Sequence, residues 1–174
     1  DTIENDLKRR DFTINALAFD MLNEEFIDVV NAKQDLKNGI IREISKENML
    51  DDSIRILRAF RFHSQLGFVF SEDLKNIIKE HAQEIRKPAK ERVNTELIKL
   101  FGGKNAHDTI RLLDMYKILE ILIPEVLEIK KVPPNNHHHL DLFNHSIETL
   151  KQVQLFYEQS QDWVKEHLDE NFGV

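Results

Sequence analysis

The strongest constraint on the fold is the helical spacing of apolar residues that begins after Ser45 and continues almost to the end of the chain. Between residues 54 and 66 the apolar side chains recur at helical intervals, and Gly67 ends that run. Pro88 and the pair at residues 102–103, both glycine, mark the start and the end of another such segment. The sequence therefore predicts a mostly helical fold after residue 45.

The first 44 residues combine helix and strand signals. A short helical turn is predicted over residues 11–17, and it leads into a strand over residues 17–21. Residues 26–30 have the β-branched and aromatic content of a hairpin partner for that strand. A short helix that Gly39 stops and a short strand over residues 40–44 complete this part.

The end of the chain predicts a further helical unit. A polar, proline-containing linker over residues 130–136 precedes a helix that is predicted from about residue 138 to residue 159. Residues 160–174 have the pattern of a frayed end or a truncated domain. We therefore predict an α+β fold that turns mainly α, in three parts. These parts are residues 1–44, residues 45–130 and residues 131–174.

Composition excludes several classes of protein. The chain has no cysteine, which excludes disulfides and thiolate metal sites and fits a reducing compartment, so we expect a cytoplasmic protein. No apolar run reaches the length of about 18 residues that a membrane span needs. The formal net charge of −7 argues against a generally basic polyanion binder, although a local basic patch is compatible with it. The chain opens within a pattern at Asp1, so we expect a piece of a longer protein.

Two clusters of arginine suggest phosphate binding. Lys8, Arg9 and Arg10 come just before Asp11 and the predicted helical turn, where cations oppose the helix dipole and a bound phosphate would relieve the conflict. A solvated basic loop is the alternative. The second cluster places arginines three residues apart along one helix, which gives a stripe of like charge that either a polyphosphate or surface carboxylates could neutralise. Its members are Arg55, Arg58 and Arg61.

Asp52 and Arg55 suggest a way to read a nucleobase. A carboxylate accepts hydrogen bonds and a guanidinium donates them, so the two side by side match an amino group next to an unprotonated ring nitrogen. Cytosine and adenine present that edge, whereas uracil and guanine would turn a carbonyl toward the carboxylate. The alternative is an ordinary ion pair between residues three apart on a helix.

Two other charged segments were weighed. Residues 90–97 alternate in charge at helical spacing, which is typical of an exposed face with salt bridges. Residues 137–145 hold four histidines and Asp141, which suggests a metal site, but a phosphohydrolase of the His-Asp class needs further ligands downstream that do not follow. A helix start packed on the preceding domain is the alternative. The doublet at residues 107–108 is more simply explained by Asp108 as a first-turn carboxylate.

These segments, in this order, resemble the class II tRNA nucleotidyltransferase and bacterial poly(A) polymerase family. Residues 9–17 resemble the motif of that family that contacts the ribose, and residues 28–36 are similar to the short motif after it. Residues 51–62 resemble the amino-acid template that selects the incoming base, and residues 91–97 resemble the helix that braces it. Residues 138–145 look like the start of the HD-type domain that many members carry.

The resemblance implies a fold and a set of contacts. Residues 1–44 would be the C-terminal part of a nucleotidyltransferase α/β head, residues 45–130 a helical neck or body domain, and residues 131–174 the start of an HD-type helical domain. Arg10 would contact the sugar and the phosphates of the nucleotide, and Asp11 would help to recognise ribose. The base of CTP or ATP would be paired with Asp52 and Arg55, with Arg58 and Arg61 beside the nucleotide. Asn15 would be structural.

The resemblance also implies partners and a cofactor. The family transfers a nucleotide to the 3′ end of tRNA and uses two Mg²⁺ ions. This sequence departs from the family pattern in opening its template with Asp51, where glutamate is usual, and in lacking the paired metal-binding aspartates that lie upstream of the ribose motif. We therefore expect no catalytic residue in this chain and no transfer by the chain alone. His138 and His145 are candidate metal ligands of the HD-type segment.

Two other functions were kept as alternatives to a tRNA nucleotidyltransferase. One is an HD-type metal-dependent phosphohydrolase, whose site would start at residues 138–145. The other is a non-catalytic helical module that binds RNA. The resemblance does not distinguish CCA-adding, CC-adding, A-adding and poly(A)-tailing members, because they share these motifs.

Overall fold

The computed structural model of the chain describes residues 2–134 and 140–172. It confirms an α+β start followed by a mainly helical body. The strands are β1 (Leu17–Asp20), β2 (Glu25–Asp28), β3 (Ile40–Ile41) and β4 (Val69–Phe70). The helices are α1 (Ile3–Lys8), α2 (Ala32–Asn38), α3 (Lys46–Asp51), α4 (Ile54–Leu66), α5 (Glu72–His81), α6 (Lys90–Phe101), α7 (Ala106–Met115), α8 (Leu119–Leu122), α9 (Val126–Ile129), α10 (Leu142–Gln159) and α11 (Asp162–Phe172). Two 3₁₀ turns lie at Thr13–Asn15 and Ala82–Arg86.

The first part of the chain has the predicted order of elements. The turn at Thr13–Asn15 leads into β1, which pairs with β2 as an antiparallel hairpin with Phe19 opposite Phe26. Helix α2 ends at Gly39, whose φ of 66° is a left-handed conformation that glycine adopts without steric cost. The start of α2 is held by Asp28, whose carboxylate accepts hydrogen bonds from the backbone N–H groups of Ala32 and Lys33.

Asp35 holds the 3₁₀ turn at Thr13–Asn15, which lies in the segment that resembles the ribose-contacting motif. Its buried carboxylate accepts a hydrogen bond of 2.7 Å from Thr13 Oγ1 and one of 3.0 Å from Arg42 Nε. The backbone N–H of Thr13 in turn donates to the carbonyl of Arg42. This part of the chain is therefore anchored to the strand region that follows α2.

The predicted strand over residues 40–44 is shorter than expected and has an unexpected partner. Only Ile40–Ile41 form β3, and they pair in parallel with Val69–Phe70 of β4, which the apolar pattern did not indicate. Glu43 forms an isolated bridge with Phe12 instead of extending the strand. A two-residue strand has no alternation to detect, so the sequence gives no period by which to find it.

Helix α4 is the centre of the core. Its residues Ile56, Leu57 and Phe60 are fully buried, and Phe60 makes edge-to-face contacts with Phe70 and Tyr116. Helices α6 and α7 both pack against α4. The helix that carries the arginine stripe is thus held rigidly from several sides.

A close approach between two segments of this helical body lies at Gly103, after α6. An added Cβ at Gly103 would lie 2.2 Å from Ser64 Oγ and 2.7 Å from the Ser64 carbonyl carbon, so no other residue fits there without a shift of the chain. Ser64 Oγ donates to the carbonyl of Leu100 at 2.6 Å, and the Ser64 carbonyl accepts from the N–H of Asn105 at 2.9 Å. The C-terminal end of α6 is therefore pinned directly to α4.

The packing of α6 and α7 differs in part from what their sequences predict. The apolar spacing on α6 predicts a buried Ile98, which is 73% exposed, whereas Glu96 is buried because it faces the arginines of α4. The position of Asn105 before α7 predicts a side-chain cap, but its side chain donates instead to the carbonyl of Ser64. Met115, which the apolar spacing on α7 predicts to be buried, is largely exposed.

The last described helices differ in part from the prediction. Asp141 caps α10 by accepting a hydrogen bond from the N–H of Asn144, and Ile147 of α10 joins the same hydrophobic core as α4. Of the two alternatives for residues 160–174, the frayed end was wrong, because Asp162–Phe172 form helix α11, and the truncated domain stays a prediction. Among the described residues, no helix has both the length and the apolar character to cross a membrane.

Candidate binding cleft

Most of the predicted nucleotide-binding residues meet in one open cleft of about 470 Å³. It lies where the segment after α1, the junction of α3 with α4, and the start of α6 come together. Five arginines and three aspartates line it, so a net positive charge is concentrated there although the chain as a whole carries −7. The lining residues are Asp6, Arg9, Arg10, Asp11, Asn15, Asp52, Ile54, Arg55, Arg58 and Arg92.

Asp11 and Arg58 form a tight ion pair at the cleft. Arg58 Nε donates to Asp11 Oδ2 at 2.5 Å, and the other oxygen of Asp11 accepts from Asn15 Nδ2 at 2.8 Å. Burial of Asp11 raises the pKa of its carboxyl group, but the hydrogen bonds from Arg58 and Asn15 outweigh burial, so the net effect is a pKa below the usual value. Asp11 is therefore held as a carboxylate.

Arg9 and Arg10 share one carboxylate. Arg9 Nη2 donates to Asp6 Oδ1 at 2.8 Å, and Arg10 Nη2 donates to Asp6 Oδ2 at 3.0 Å. These bonds lower the pKa of the Asp6 carboxyl group, with the bond from Arg9 contributing most. Arg10 also donates to the backbone carbonyl of Asn15 at 2.7 Å, which sets its guanidinium against the 3₁₀ turn. Both arginines are exposed and charge-paired, so an anion that enters here competes with Asp6.

Asp52 lies at the cleft, but its local structure differs from the prediction. It was expected on the same helical turn as Arg55, whereas its backbone is extended (φ −145°, ψ 99°) and it separates α3 from α4. Its carboxylate accepts a hydrogen bond of 2.5 Å from Arg92 Nη2 of α6, not from Arg55. The alternative of an ion pair within one helix is thus replaced by an ion pair between two elements. In the described part of the chain, no donor reaches the other oxygen, Oδ1.

Arg55 projects into the same cleft from the first turn of α4. Its Nη1 donates to the backbone carbonyl of Asn48 at 2.5 Å. The Asn48 side chain donates in turn to the carbonyls of Lys8 and Arg10, at 2.8 and 2.7 Å. Asn48 of α3 therefore connects the two arginine clusters, a role that nothing in the sequence indicated.

Arg61 has a different place from the one predicted for it. It is not among the residues that line the cleft, and its Nε donates to Glu96 Oε2 at 2.6 Å. Its guanidinium also lies 4.0 Å from the centre of the Phe62 ring, and its side chain is 12% exposed. Arg58 Nη1 lies 4.0 Å from Glu96 Oε1, so Glu96 stands between the two arginines. The contacts of Arg61 are those of a residue that joins α4 to α6.

The candidate metal ligands do not form a site in the described part of the chain. His138 lies outside the described residues, and His145 lies on α10, with its backbone N–H bonded to the carbonyl of Asp141. His107 contacts Gln154 of α10 through Nδ1 at 3.0 Å, and Asp108 is a first-turn residue of α7. Where side chains are described, at residues 2–134 and 140–167, there is no group of three or more metal-ligating residues that would by itself hold a metal ion.

Arg92 and Asp6 line the cleft and were not predicted as binding residues, although the sequence holds a signal for each. Arg92 lies four residues before Glu96 on α6, so the two share one helix face, although alternating charge at this spacing is also typical of an exposed surface. Asp6 precedes Arg9 and Arg10 by three and four residues, which is the spacing of contacts on a helix.

Comparison with known proteins places the chain in a class. A model of the poly A polymerase head domain matches residues 1–42, and a model described as the probable RNA and SrmB-binding site of polymerase A matches residues 67–130. Both models describe nucleotidyltransferases of the poly(A) polymerase type. Together they include the segment with Arg10 and Asp11 and the helix with Arg92.

Individual relatives narrow this class. The A-adding tRNA nucleotidyltransferase of Deinococcus radiodurans is 33% identical over 87% of this chain and 36% of its own length. The CCA-adding enzyme of Ligilactobacillus salivarius is 40% identical over 75% of this chain and 33% of its own length. The crystal structure of the Bacillus stearothermophilus CCA-adding enzyme in complex with CTP is similar with a TM-score of 0.64 and 34% identity, over 67% of this chain and 30% of that one.

The chain belongs to the family of tRNA nucleotidyltransferases and bacterial poly(A) polymerases, as the motifs in its sequence indicated. It spans about a third of the length of the curated relatives it matches.

Proposed function

We propose that the cleft binds CTP or ATP and that the chain is the nucleotide-selecting part of an enzyme that adds CMP or AMP to the 3′ end of tRNA. The observation that carries this proposal is the position of Asp52 and Arg55, which line the same cleft as Arg10, Asp11 and Arg58. The similarity to a CCA-adding enzyme in complex with CTP supports it.

Base selection follows from the two side chains at the junction of α3 and α4. Asp52 offers Oδ1 as an acceptor for the amino group of cytosine or adenine, and Arg55 offers donors to the adjacent ring nitrogen. Uracil and guanine present a carbonyl and an N–H in these places, which would set a carbonyl against a carboxylate and an N–H against a guanidinium. The cleft therefore favours C and A over U and G without a nucleic-acid template.

The sugar and the phosphates would be bound at the opposite side of the cleft. Arg9 and Arg10 are exposed and both contact the carboxylate of Asp6, so a polyphosphate can replace that carboxylate as a counter-charge. Asp11 accepts hydrogen bonds, and its fixed ionised state suits an acceptor for a ribose hydroxyl. Arg58 would act on the nucleotide by holding Asp11.

The proposal for the whole enzyme includes tRNA as the acceptor and a cytoplasmic site of action, since the relatives are named as tRNA enzymes and the chain has no cysteine. The Mg²⁺ ions that the family implies would supply charge neutralisation during transfer. Because the described side chains hold no cluster of three ligands for them, no step here is assigned to the metal.

Nucleotide binding with and without Asp52 tests the proposal. NMR titration measures dissociation constants up to the millimolar range, so it suits a chain that contains part of a site. We expect the wild-type chain to bind CTP and ATP more tightly than UTP and GTP, and Asp52→Ala to lose about 1–3 kcal/mol of that preference. Equal binding of all four nucleotides by the wild type would contradict a template. Binding of tRNA that is indifferent to Asp52→Ala, without selective nucleotide binding, would favour an RNA-binding module instead.

A further inference from the structure

Arg92 reaches the proposed base-reading carboxylate from a different helix. It lies in the first turn of α6, and its Nη2 donates to Asp52 Oδ2 at 2.5 Å across 40 residues of sequence. Both side chains remain partly exposed at the cleft, at 54% for Arg92 and 34% for Asp52. The contact therefore lies where a nucleobase would enter and not in the protein interior.

The geometry of a carboxylate explains what this contact does. A carboxylate has two equivalent oxygens and rotates about its last side-chain bond, so a free aspartate can aim either oxygen in many directions. Arg92 holds Oδ2 and leaves Oδ1 without a donor in the described part of the chain. One acceptor is thus fixed in orientation for a ligand.

Arg92 is itself held in place by the buried part of α6. Glu96 lies one turn further along the same face of α6 and binds Arg61 of α4 at 2.6 Å. Because Glu96 is buried and its partner is only 12% exposed, this pair fixes the rotation of α6 relative to α4. The position of Arg92 relative to Asp52 follows from that rotation.

We propose that Arg92 is a specificity-determining positioning residue, which orients the Asp52 carboxylate so that one oxygen accepts the amino group of the incoming base. This inference rests on the proposed function of the cleft. It assigns to α6 a part in choosing the base, in addition to its packing against α4.

The experiment compares nucleotide preference among four variants of the chain. Dissociation constants of CTP, ATP, UTP and GTP are measured by NMR titration for Arg92→Ala, Arg92→Lys, Asp52→Ala and Lys90→Ala. Lys90 is exposed on α6 and faces away from Arg92, so its substitution removes the same charge without touching Asp52. Thermal unfolding of each variant separates a loss of fold from a loss of selectivity.

We expect Arg92→Ala to reduce the preference for CTP over UTP by about five- to tenfold, which is part of the loss in Asp52→Ala. Arg92→Lys should recover some of the preference, because an ammonium can still donate one hydrogen bond to Oδ2. Lys90→Ala should keep the wild-type preference.

Three results would overturn the inference. If Arg92→Ala weakens the binding of all four nucleotides by the same factor and lowers the unfolding temperature, the role of Arg92 is purely structural. Tighter CTP binding by Arg92→Ala would mean that Arg92 blocks Asp52 instead of orienting it. An unchanged preference in Arg92→Ala, combined with a lost preference in Asp52→Ala, would reject Arg92 while leaving the proposed function intact. If the wild type shows no preference, both proposals fall together.

Discussion

Ion pairs hold α4 and the junction before it against neighbouring segments, and these pairs differ mainly in burial. The inner pairs, Arg58–Asp11 and Arg61–Glu96, have carboxylates that are 5% and 9% exposed. The outer pair, Arg92–Asp52, has a carboxylate that is 34% exposed and a guanidinium that is 54% exposed. Similar hydrogen-bond lengths, between 2.5 and 2.6 Å, therefore occur in two very different solvent environments.

The difference separates a structural contact from an exchangeable one. A buried charge that loses its partner cannot recover its hydration, so the inner pairs must stay closed while the protein is folded. The outer pair is in contact with water, which weakens it and lets a ligand approach the carboxylate at little cost. The inner pairs hold α4 against the segment around Asp11 and against α6, and the outer pair stands at the place where we propose that selection occurs.

Removal of the shared inner carboxylate should have the largest effect on stability. Glu96→Gln keeps the size of the side chain but leaves Arg61, which is 12% exposed, without a counter-charge. We expect the free energy of unfolding to fall by about 3 kcal/mol, and the unfolding temperature to fall by roughly 6–12 °C. Calorimetry or chemical denaturation measures both. Glu91→Gln, an exposed position on the same helix, serves as the control, and a loss no larger than that of the control would contradict the distinction.

The second inner pair predicts a pH-dependent effect. In the wild type the pKa of Asp11 is lowered, because the hydrogen bonds from Arg58 and Asn15 outweigh the opposing effect of burial. Its contribution to stability is therefore present above the unfolded pKa, about 3.9, and is lost as the pH falls through the lower pKa of the folded state. In Arg58→Gln, burial should dominate and raise the pKa of Asp11. We expect the free energy of unfolding to fall by about 2 kcal/mol at neutral pH, and this loss to become smaller toward pH 4.

Denaturant titrations between pH 7 and pH 4 measure this dependence. The double variant Arg58→Gln/Asp11→Asn carries no buried carboxylate at this position. Its loss of free energy of unfolding relative to the wild type should therefore not become smaller toward pH 4 in the way that ionisation of Asp11 produces in Arg58→Gln. A loss in Arg58→Gln that stays constant over this pH range would show that the ion pair with Asp11 is not its cause.

The outer pair should contribute least to stability. Asp52→Asn weakens the contact with Arg92, but both groups stay hydrated. We expect the free energy of unfolding to change by less than about 1 kcal/mol, in contrast to Glu96→Gln. Chemical denaturation of the two variants under the same conditions gives the comparison directly. A loss as large as that of Glu96→Gln would place Asp52 among the structural residues and would weaken its assignment to base reading.

Local pattern predicted some elements and most of the residues that line the cleft. The apolar spacing and Gly67 predict α4 and its end, and the motifs identify Arg10, Asp11 and Arg58 as neighbours of one nucleotide. Arg61 lies away from the cleft for a geometric reason that the sequence already contains. Steps of three residues fall about 60° short of a helical turn, so Arg61 lies about 120° around α4 from Arg55 and faces α6.

Other features depend on contacts between distant segments and have no local signal. The break between α3 and α4 at Asp52 is marked by neither glycine nor proline, so the sequence alone predicts Asp52 and Arg55 on one helical turn. The bond between Arg92 and Asp52 joins residues 40 positions apart, and charge spacing on α6 alone cannot identify which carboxylate is its partner. The strand pair β3–β4 was missed because each strand has only two residues.

Gly103 affects the position of α6 at the cleft, although it does not line the cleft. Because Gly103 has no side chain, the loop after α6 lies directly against Ser64. Helix α6 runs from that contact to Arg92 near its other end. We expect a methyl group at position 103 to push this end of α6 away from Ser64. A rigid helix would transmit that displacement to its other end. The spacing between Arg92 and Asp52 therefore depends on a contact about three helical turns away, at a residue that does not line the cleft.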